Sequence, residues 1–384
     1  MTSNFPPDPR RSRLKQARPS SRNMNFSRSI GHLIKRTQGL PGHPTLTRNG
    51  YSRIDCRPFH SISTSAGPRA PIRTLEESIS LVTKRNMSSG ADDQPISFPV
   101  TPYPKSHPER KIRTAACVII GDEILSGKTL DTNSNHFAAL SFKLGVHLKR
   151  IEVVPDEEDV IISCIRRLCE PEDQFDMIIT SGGIGPTHDD ITYQSLAKVF
   201  DPKGELEYDQ ETIRRMDEYN SRRASTVTKT EEQRIARHRM ALFPKNYSKV
   251  LFVEPHLWVP VVCLREKIYI FPGVPSLFQQ LVQALMCHYI SLPPETDKPH
   301  RVMVQTRLPE SIIAPLLTRF SNQFKEEKLD IKLGSYPNLI TGIVSISLIG
   351  IDLERLNSFA QLIQLEFDKL SHQSNLSSNN DNKL

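Results

Sequence analysis

Between residues 111 and 200, apolar runs of strand length alternate with stretches of helical periodicity. Residues 115–120 are a continuous apolar run, which is typical of a strand buried on both faces of a sheet. In chain order the pattern predicts strands at 115–120, 147–154 and 176–180, and helices at 131–145, 156–168 and 191–200. This alternation predicts an α/β fold with a doubly wound, mostly parallel sheet.

The second half of the chain continues with shorter elements. Residues 205–245 are highly charged and predicted to be helical, three short strands follow at 250–253, 258–263 and 267–271, and 276–289 is a helix. Prolines in 291–299 mark a boundary, and 301–370 has the order β-α-β-β-α of a small α+β module. The predicted organisation is a disordered basic arm and linker (1–109), a main domain (110–290), the module (300–371) and a disordered tail (372–384).

Charge separates the arm from the rest of the chain. The whole chain carries +7, but residues 1–91 carry +12 and residues 92–384 carry −5. Because the folded part is acidic, nucleic-acid binding is not expected. No apolar run approaches the ~20 residues of a membrane span. The 6 cysteines form no CxxC pair, so neither a zinc site nor a disulfide scaffold is expected.

The arm has the composition of a mitochondrial transit peptide. It is rich in arginine and serine and poor in acids, and Arg57-Pro-Phe-His-Ser resembles a processing signal that places the mature start near Gly67. We therefore expect a mitochondrial protein. The alternatives are a solvated basic tail, or translation from Met87 and a cytoplasmic protein.

A glycine-rich turn, residues 181–190, is the first candidate site. Gly182, Gly183 and Gly185 permit positive φ and let a ligand approach the backbone closely. A turn of this kind before a helix offers free N–H groups to phosphate. An ordinary tight turn accounts for the glycines nearly as well, and the turn is neither a Walker A loop nor a dinucleotide fingerprint.

The acidic residues beside this turn indicate a metal. Asp189 and Asp190 lie next to Thr187, His188 and Thr192, and carboxylates repel a phosphate unless a cation lies between them. We expect a divalent metal, Mg²⁺ with Mn²⁺ or Co²⁺ as alternatives. One aspartate could instead cap the following helix. His188 is a candidate acid or base, although a lone histidine is more often a surface hydrogen-bonding group.

A second polar turn follows the strand at 115–120. Asp122 and Glu123 could complete the metal site, whereas Asp131 and Asn133 could bind ligand or only cap a helix. Both turns follow strand ends, so we expect them to meet in one cleft. Asp156 is predicted as a helix N-cap, in a solvated acidic first turn.

Three motifs in order carry a family resemblance: Gly121-Asp-Glu-Ile-Leu-Ser-Gly with Asp131-Thr-Asn-Ser, Thr180-Ser-Gly-Gly-Ile-Gly-Pro-Thr-His-Asp-Asp-Ile-Thr, and Phe271-Pro-Gly-Val-Pro. Residues 110–290 resemble the MoaB/Mog-like molybdopterin-binding domain, in the branch of competence-damage-inducible proteins and the N-terminal domain of FAD synthases. The resemblance implies that pterin or nucleotide phosphates and a divalent metal bind at the glycine-rich turn. The predicted ligand-binding residues are Gly182, Gly183, Gly185, Thr187, Thr192, Asp131, Asn133 and Gly273, and the predicted metal ligands are Asp122, Asp189 and Asp190.

In this branch the resemblance implies cleavage of the pyrophosphate of FAD or ADP-ribose. We expect a metal-dependent hydrolase that converts FAD or a similar dinucleotide to FMN and AMP, with Asp189, Asp190, Glu123 and His188 as catalytic residues. The alternative is a non-catalytic pterin- or nucleotide-binding protein that serves cofactor delivery or regulation. We expect neither FAD synthesis nor deamidase activity, because those domains are not matched. Family members commonly oligomerise, so a homo-oligomer is expected. Residues 205–262 depart most from the family pattern.

Overall fold

The computed structural model describes residues 96–104, 111–170, 175–223 and 230–381. Its main sheet has six strands in the order β2-β1-β3-β8-β7-β6. They span β1 Thr114–Ile120, β2 His147–Val154, β3 Met177–Ser181, β6 Ser248–Leu251, β7 Val261–Leu264 and β8 Ile268–Phe271. Strands β2, β1, β3 and β8 are mutually parallel, whereas β7 and β6 extend the sheet antiparallel. The predicted mostly parallel sheet is therefore confirmed.

Helices cover both faces of this sheet. In the main domain they are α1 Asp122–Leu125, α2 Asn133–Leu144, α3 Glu158–Cys169, α4 Thr192–Phe200, α5 Gln210–Arg223, α6 Glu231–His238 and α7 Pro275–His288. One core joins α2 and α7 to residues such as Cys117 and Ile179, and the other joins α3 and α4 to Val118 and Ile178. Neighbouring strand residues thus point into opposite cores, as a doubly wound fold requires.

The C-terminal module has a third core of its own. Strands β9 His300–Thr306, β10 Lys332–Asn338 and β11 Ile343–Gly350 form an antiparallel sheet in the order β10-β11-β9. Helices α8 Glu310–Glu326 and α9 Leu353–Asp381 contribute side chains such as Phe324 and Phe359 to its core. The β-α-β-β-α order matches the prediction.

Two expectations about chain ends need correction. Residues 96–104 fall in the predicted linker, yet they bind the main domain: the Phe98 and Thr101 amides donate to the carbonyls of Pro255 and Phe252. The tail is also not irregular from residue 372, because α9 continues to Asp381 and no glycine or proline interrupts it. The predicted transit peptide lies outside the described residues.

The charged segment 205–245 is more varied than predicted. Besides α5 and α6 it contains two short strands, β4 Leu206–Tyr208 and β5 Leu242–Pro244, which form an antiparallel pair. These strands of three residues are too short to show an alternating pattern. Among the described residues, no helix combines the length and the apolar character that a bilayer crossing requires.

Candidate active site

The loops that follow the parallel strands meet at one edge of the main sheet. The amide of Gly182, directly after β3, donates to the carbonyl of Phe271 at the end of β8 over 3.2 Å. A Cβ atom on Gly182 would lie 2.0 Å from the carbonyl oxygen of Ile120 at the end of β1, and one on Gly273 would lie 3.3 Å from Gly182 Cα. Close backbone packing therefore requires glycine at position 182, where φ is +113°.

Asp156 joins the two candidate turns. It follows β2, and its Oδ2 accepts a 3.0 Å hydrogen bond from the amide of Asp122, at the start of the turn after β1. Its Oδ1 would lie 3.2 Å from a Cβ atom on Gly183 in the glycine-rich turn. The turns after β1 and β3, about 60 residues apart in the chain, therefore lie side by side, with the Asp156 carboxylate beside both.

Asp156 is not the helix cap that the sequence pattern predicts. Glu157 occupies the N-cap position of α3 and makes no side-chain capping bond, while Asp156 is turned toward the loops. A Pro-Asp-Glu-Glu-Asp run fits a capped helix and an active-site edge equally well. The distinguishing signal is position: Asp156 follows the end of β2 as Asp122 follows the end of β1, so both lie at the same edge.

Carboxylates gather around Asp156. Burial raises the pKa of Asp156, and the nearby negative charges of Asp122, Glu123 and Asp189 raise it further. Acidic side chains from the turns after β1 and β3 therefore lie close enough for their negative charges to act on Asp156. A cation or a bound proton would relieve this repulsion.

Asp190 organises the glycine-rich turn from within. Its Oδ1 accepts a hydrogen bond from the amide of Gly185 at 2.6 Å, and its Oδ2 accepts from the amide of Thr187 at 2.9 Å and from the Thr187 hydroxyl. Neither Asp189 nor Asp190 caps α4, because Ile191 is the N-cap residue and the helix has no side-chain cap. In this geometry Asp190 shapes the loop, and a metal at Asp190 would compete with these donors.

The amides available to a phosphate are fewer than the glycine pattern predicts. Gly182 and Gly185 already donate to Phe271 and Asp190. Within the described part of the chain, the amides of Gly183 and Ile184 have no acceptor. The Gly183–Ile184 segment therefore offers two unpaired amides of the kind that an anion could accept, and the Thr192 amide holds the carbonyl of Gly183.

Thr192, the first residue of α4, holds the glycine-rich turn through a hydrogen bond. It is fully buried, and its hydroxyl donates to the carbonyl of Gly182 at 2.9 Å. The Thr192 side chain has no exposed surface and its hydroxyl is already bonded, so the structure gives it a supporting position, and its ligand contact stays a prediction. Threonine is also favoured at helix starts, which the sequence pattern alone could not separate from a ligand role.

His188 and Asp189 are at the exposed tip of the same turn. Their side chains are 97% and 64% exposed, and His188 Nδ1 lies 4.0 Å from Asp189 Oδ1. The polar Thr187 side chain nearby, and then the charges of His188 and Arg239, lower the pKa of Asp189, so this carboxylate is ionised at neutral pH. Glu123 is exposed as well, and its carboxylate folds over Gly121. These three side chains are free to reorient toward a ligand.

Asp131 lies just before α2, and Asn133 is the first residue of that helix. Asp131 Oδ1 accepts from the amides of Asn133 and Ser134, each at 3.0 Å, so the capping alternative accounts for its carboxylate. Asn133 is 6% exposed, and its Nδ2 donates to the Ser181 hydroxyl at 3.0 Å and to the Gly273 carbonyl at 2.8 Å. Asn133 therefore fastens the turn after β1 to the ends of β3 and β8.

The donor set fits a magnesium ion that is shared with a ligand. In the described ranges, no group of three His, Cys, Asp or Glu side chains is close enough to hold a metal alone. Mg²⁺ is usually held by one or two carboxylates, waters and phosphate oxygens of the substrate. The negative charges that surround Asp156, beside the open amides of Gly183 and Ile184, suit that shared coordination.

Comparison with known proteins agrees with these motifs. Residues 116–291 match the family model described as a probable molybdopterin binding domain. The chain is 32% identical over 242 residues to a "Probable FAD synthase" of Caenorhabditis elegans, in an alignment that covers 60% of this chain and 45% of the worm protein. The chain thus spans about half the length of that relative.

An archaeal protein and a crystal structure are also similar to this chain. A protein of Sulfurisphaera tokodaii is 30% identical over 213 residues, which cover 55% of this chain and 76% of the archaeal protein. The crystal structure of CinA from Thermoplasma acidophilum, described as of unknown function, has 26% identity and a TM-score of 0.37, and covers 45% of this chain and 95% of that one. That TM-score is too low to bear on the site. On the domain match and the archaeal relative, the chain belongs to the probable molybdopterin-binding domain family.

Proposed function

We propose that the protein hydrolyses the pyrophosphate of FAD or a similar dinucleotide in a metal-dependent reaction that yields FMN and AMP. The observation that carries the proposal is the position of Asp156, which accepts a hydrogen bond from the Asp122 amide and lies among the charges of Asp122, Glu123 and Asp189, next to the open amides of Gly183 and Ile184. Such an edge suits a diphosphate bound together with a cation. The worm relatives named probable FAD synthases support a flavin dinucleotide as the substrate class.

Each residue has a defined part in this proposal. Asp122, Asp156 and Asp189 would hold the metal directly or through water, and the amides of Gly183 and Ile184 would donate to phosphate oxygens. When bound, the cation supplies charge neutralisation of a phosphoryl oxygen and a lowered pKa of the attacking water. Asp190 keeps the loop in shape through its bonds to Gly185 and Thr187.

The reaction adds water across the diphosphate. The water oxygen bonds to one phosphorus, the bridging P–O bond breaks, and FMN and AMP leave. Glu123 or His188 would orient the water and accept its proton, because both side chains are exposed on the flanking turns.

Product analysis tests this proposal. The protein is incubated with FAD, ADP-ribose or NADH and with Mg²⁺, Mn²⁺ or Co²⁺, and products are separated by chromatography. Asp156→Asn is expected to lower kcat by about 100-fold or more, the scale of a lost charge-stabilising group. Asp159→Asn, on the first turn of α3, is the matched control and should keep the parental rate.

The proposal is wrong if no substrate is cleaved with any of the metals, or if Asp156→Asn cleaves at the parental rate while folded. The second candidate is then a binding protein without chemistry, which the family description as a molybdopterin binding domain favours. That protein would bind nucleotide or pterin in calorimetry and release no product.

A further inference from the structure

The charged segment between β4 and β5 packs against the helix that follows the glycine-rich turn. β4 and β5 pair at its base, and Phe243 of β5 contacts Tyr193 of α4 edge-on, with ring centroids 4.9 Å apart. Both rings are buried. The end of α6 and the 3₁₀ turn Arg239–Ala241 are thereby held next to the turn that carries Asp189 and Asp190.

Most basic side chains at this end of the segment face acidic residues. Arg234 binds Glu231 on α6, and Arg237 and His238 face Asp217 of α5 at 3.8 and 3.3 Å. Arg239 differs from its neighbours. In the described residues it has no ion pair within 4.0 Å, and its Nη2 donates to the carbonyl oxygen of Asp190 over 3.3 Å.

Arg239 lies close enough to the glycine-rich turn for its positive charge to act there. It is half-buried, and its positive charge acts on the Asp189 carboxylate at the tip of the glycine-rich turn. A single long bond to a neutral carbonyl leaves most guanidinium N–H groups of Arg239 for another acceptor. Guanidinium groups bind phosphate through paired charge-assisted hydrogen bonds, and their charge offsets the repulsion that nearby carboxylates exert on a dianionic ligand.

We propose that Arg239 binds a phosphate group of the nucleotide substrate at the glycine-rich turn. This inference rests on the proposed function and names a specificity residue for it. Arg239 lies in the charged segment between β4 and β5, so this contact makes that segment contribute to phosphate selection. A substrate whose phosphate lies beside the Arg239 guanidinium binds more tightly, because that positive charge offsets the repulsion from the nearby carboxylates.

Calorimetry with AMP, which has no pyrophosphate to cleave, tests the inference directly in the full chain with Mg²⁺. Arg239→Gln keeps an N–H donor for the Asp190 carbonyl and removes the charge. We expect the Kd for AMP to rise about 10- to 100-fold, the range of charge-assisted hydrogen bonds. Arg239→Lys should recover part of the affinity, and Arg234→Gln, on the preceding helix α6 and paired with Glu231, should leave the Kd unchanged.

Kinetics with FAD or ADP-ribose separates binding from a structural role. Arg239→Gln should raise KM. Added salt should weaken nucleotide binding less in this variant than in the parent, because one charged contact is gone. Its melting temperature should stay within about a degree of the parent. An unchanged Kd and KM in folded Arg239→Gln overturns the inference and leaves the proposed function standing. If the parent neither binds AMP nor cleaves any dinucleotide, the proposed function fails and this inference fails with it.

Discussion

At the scale of single residues, the site depends on backbone contacts that only glycine allows. Gly182 lies where the loops after β1, β3 and β8 converge, and a side chain there would overlap the carbonyl oxygen of Ile120. Gly127, in the turn after β1, also has a positive φ of +73°, yet a Cβ atom there would meet nothing within 4 Å. The two glycines thus separate the effect of a steric overlap from that of backbone conformation.

Gly182→Ala should destabilise the protein far more than Gly127→Ala. The first change forces apart backbone segments that are packed together, at an expected loss of about 3 kcal/mol or more. The second imposes only the left-handed conformation on alanine, which costs about 1–2 kcal/mol. Urea unfolding followed by circular dichroism measures both. Equal losses for the two variants would contradict the close packing of the loops.

The sequence predicts the residue types at this site better than their partners. The glycine-rich turn and the aspartates after β1 and β3 stand out, because glycines and acids grouped at the ends of buried strands are typical of a ligand site. The pattern assigns Asp156 to a cap and leaves Asp131 open between a cap and a ligand contact, because a helix start and a ligand site favour the same polar residues. Only the three-dimensional arrangement shows which way each oxygen points.

At the scale of elements, α5 fastens residues 96–104 to the main domain through one buried arginine. Arg215 is 4% exposed, and its guanidinium carbon lies 3.6 Å from the centre of the Phe252 ring. Its Nη2 donates to the carbonyl of Pro99 at 2.7 Å, and its Nε donates to Glu211 at 2.7 Å. Glu211 therefore orients the side chain that holds the preceding segment.

The sequence could not predict this contact. Residues 92–110 are rich in proline and lack a period, which is typical of a linker, and α5 is a charged helix whose arginines look solvated. Burial of Arg215 depends on aromatic rings from distant positions, Phe98 and Phe252. By contrast, the bounds of the long helices and the apolar strands are predictable within a few residues, because the pattern of buried positions lies within each element and does not depend on distant residues.

Glu211→Gln should lower stability in a pH-dependent manner. Hydrogen bonds from Arg214, then from Arg215, lower the pKa of Glu211 from its ordinary value of 4.5 to about 2. A lowered folded-state pKa stabilises the fold above the ordinary pKa, and that stabilisation is lost as pH falls toward 2. Glu211 is 41% exposed, so the expected loss at pH 7 is about 1 kcal/mol.

Thermal unfolding of parent and variant between pH 7 and pH 2 measures this effect. The gap between their melting temperatures should close as pH falls from about 4.5 to about 2. Glu218→Gln is the control. It removes the ion pairs of Glu218 with Arg214 and Arg222 on the helix surface, and should cost about 0.3 kcal/mol at pH 7. A gap that stays constant with pH would show that Glu211 acts through packing and not through its charge.

At the scale of the whole molecule, charge divides the chain into two parts with different electrostatic roles. Residues 1–91 carry +12, whereas residues 92–384 carry −5 and contain the carboxylate-rich site. A basic segment is driven toward the negative side of an energised membrane by about 2.3 kcal/mol per charge for each 100 mV. The acidic remainder gains nothing from that field. We propose on this basis that the arm directs the chain to mitochondria.

A fusion of residues 1–91 to a fluorescent protein tests this proposal in cells. We expect mitochondrial fluorescence that is lost when the membrane potential is dissipated, because the force acts on the +12 charge of the segment. The matched control replaces half of the arginines in this segment with glutamine, which keeps its length and polarity and should leave the fusion in the cytoplasm. Uniform cytoplasmic fluorescence of the unmodified fusion would contradict the proposal, because the positive charge of the segment would then not suffice to bring the chain to mitochondria.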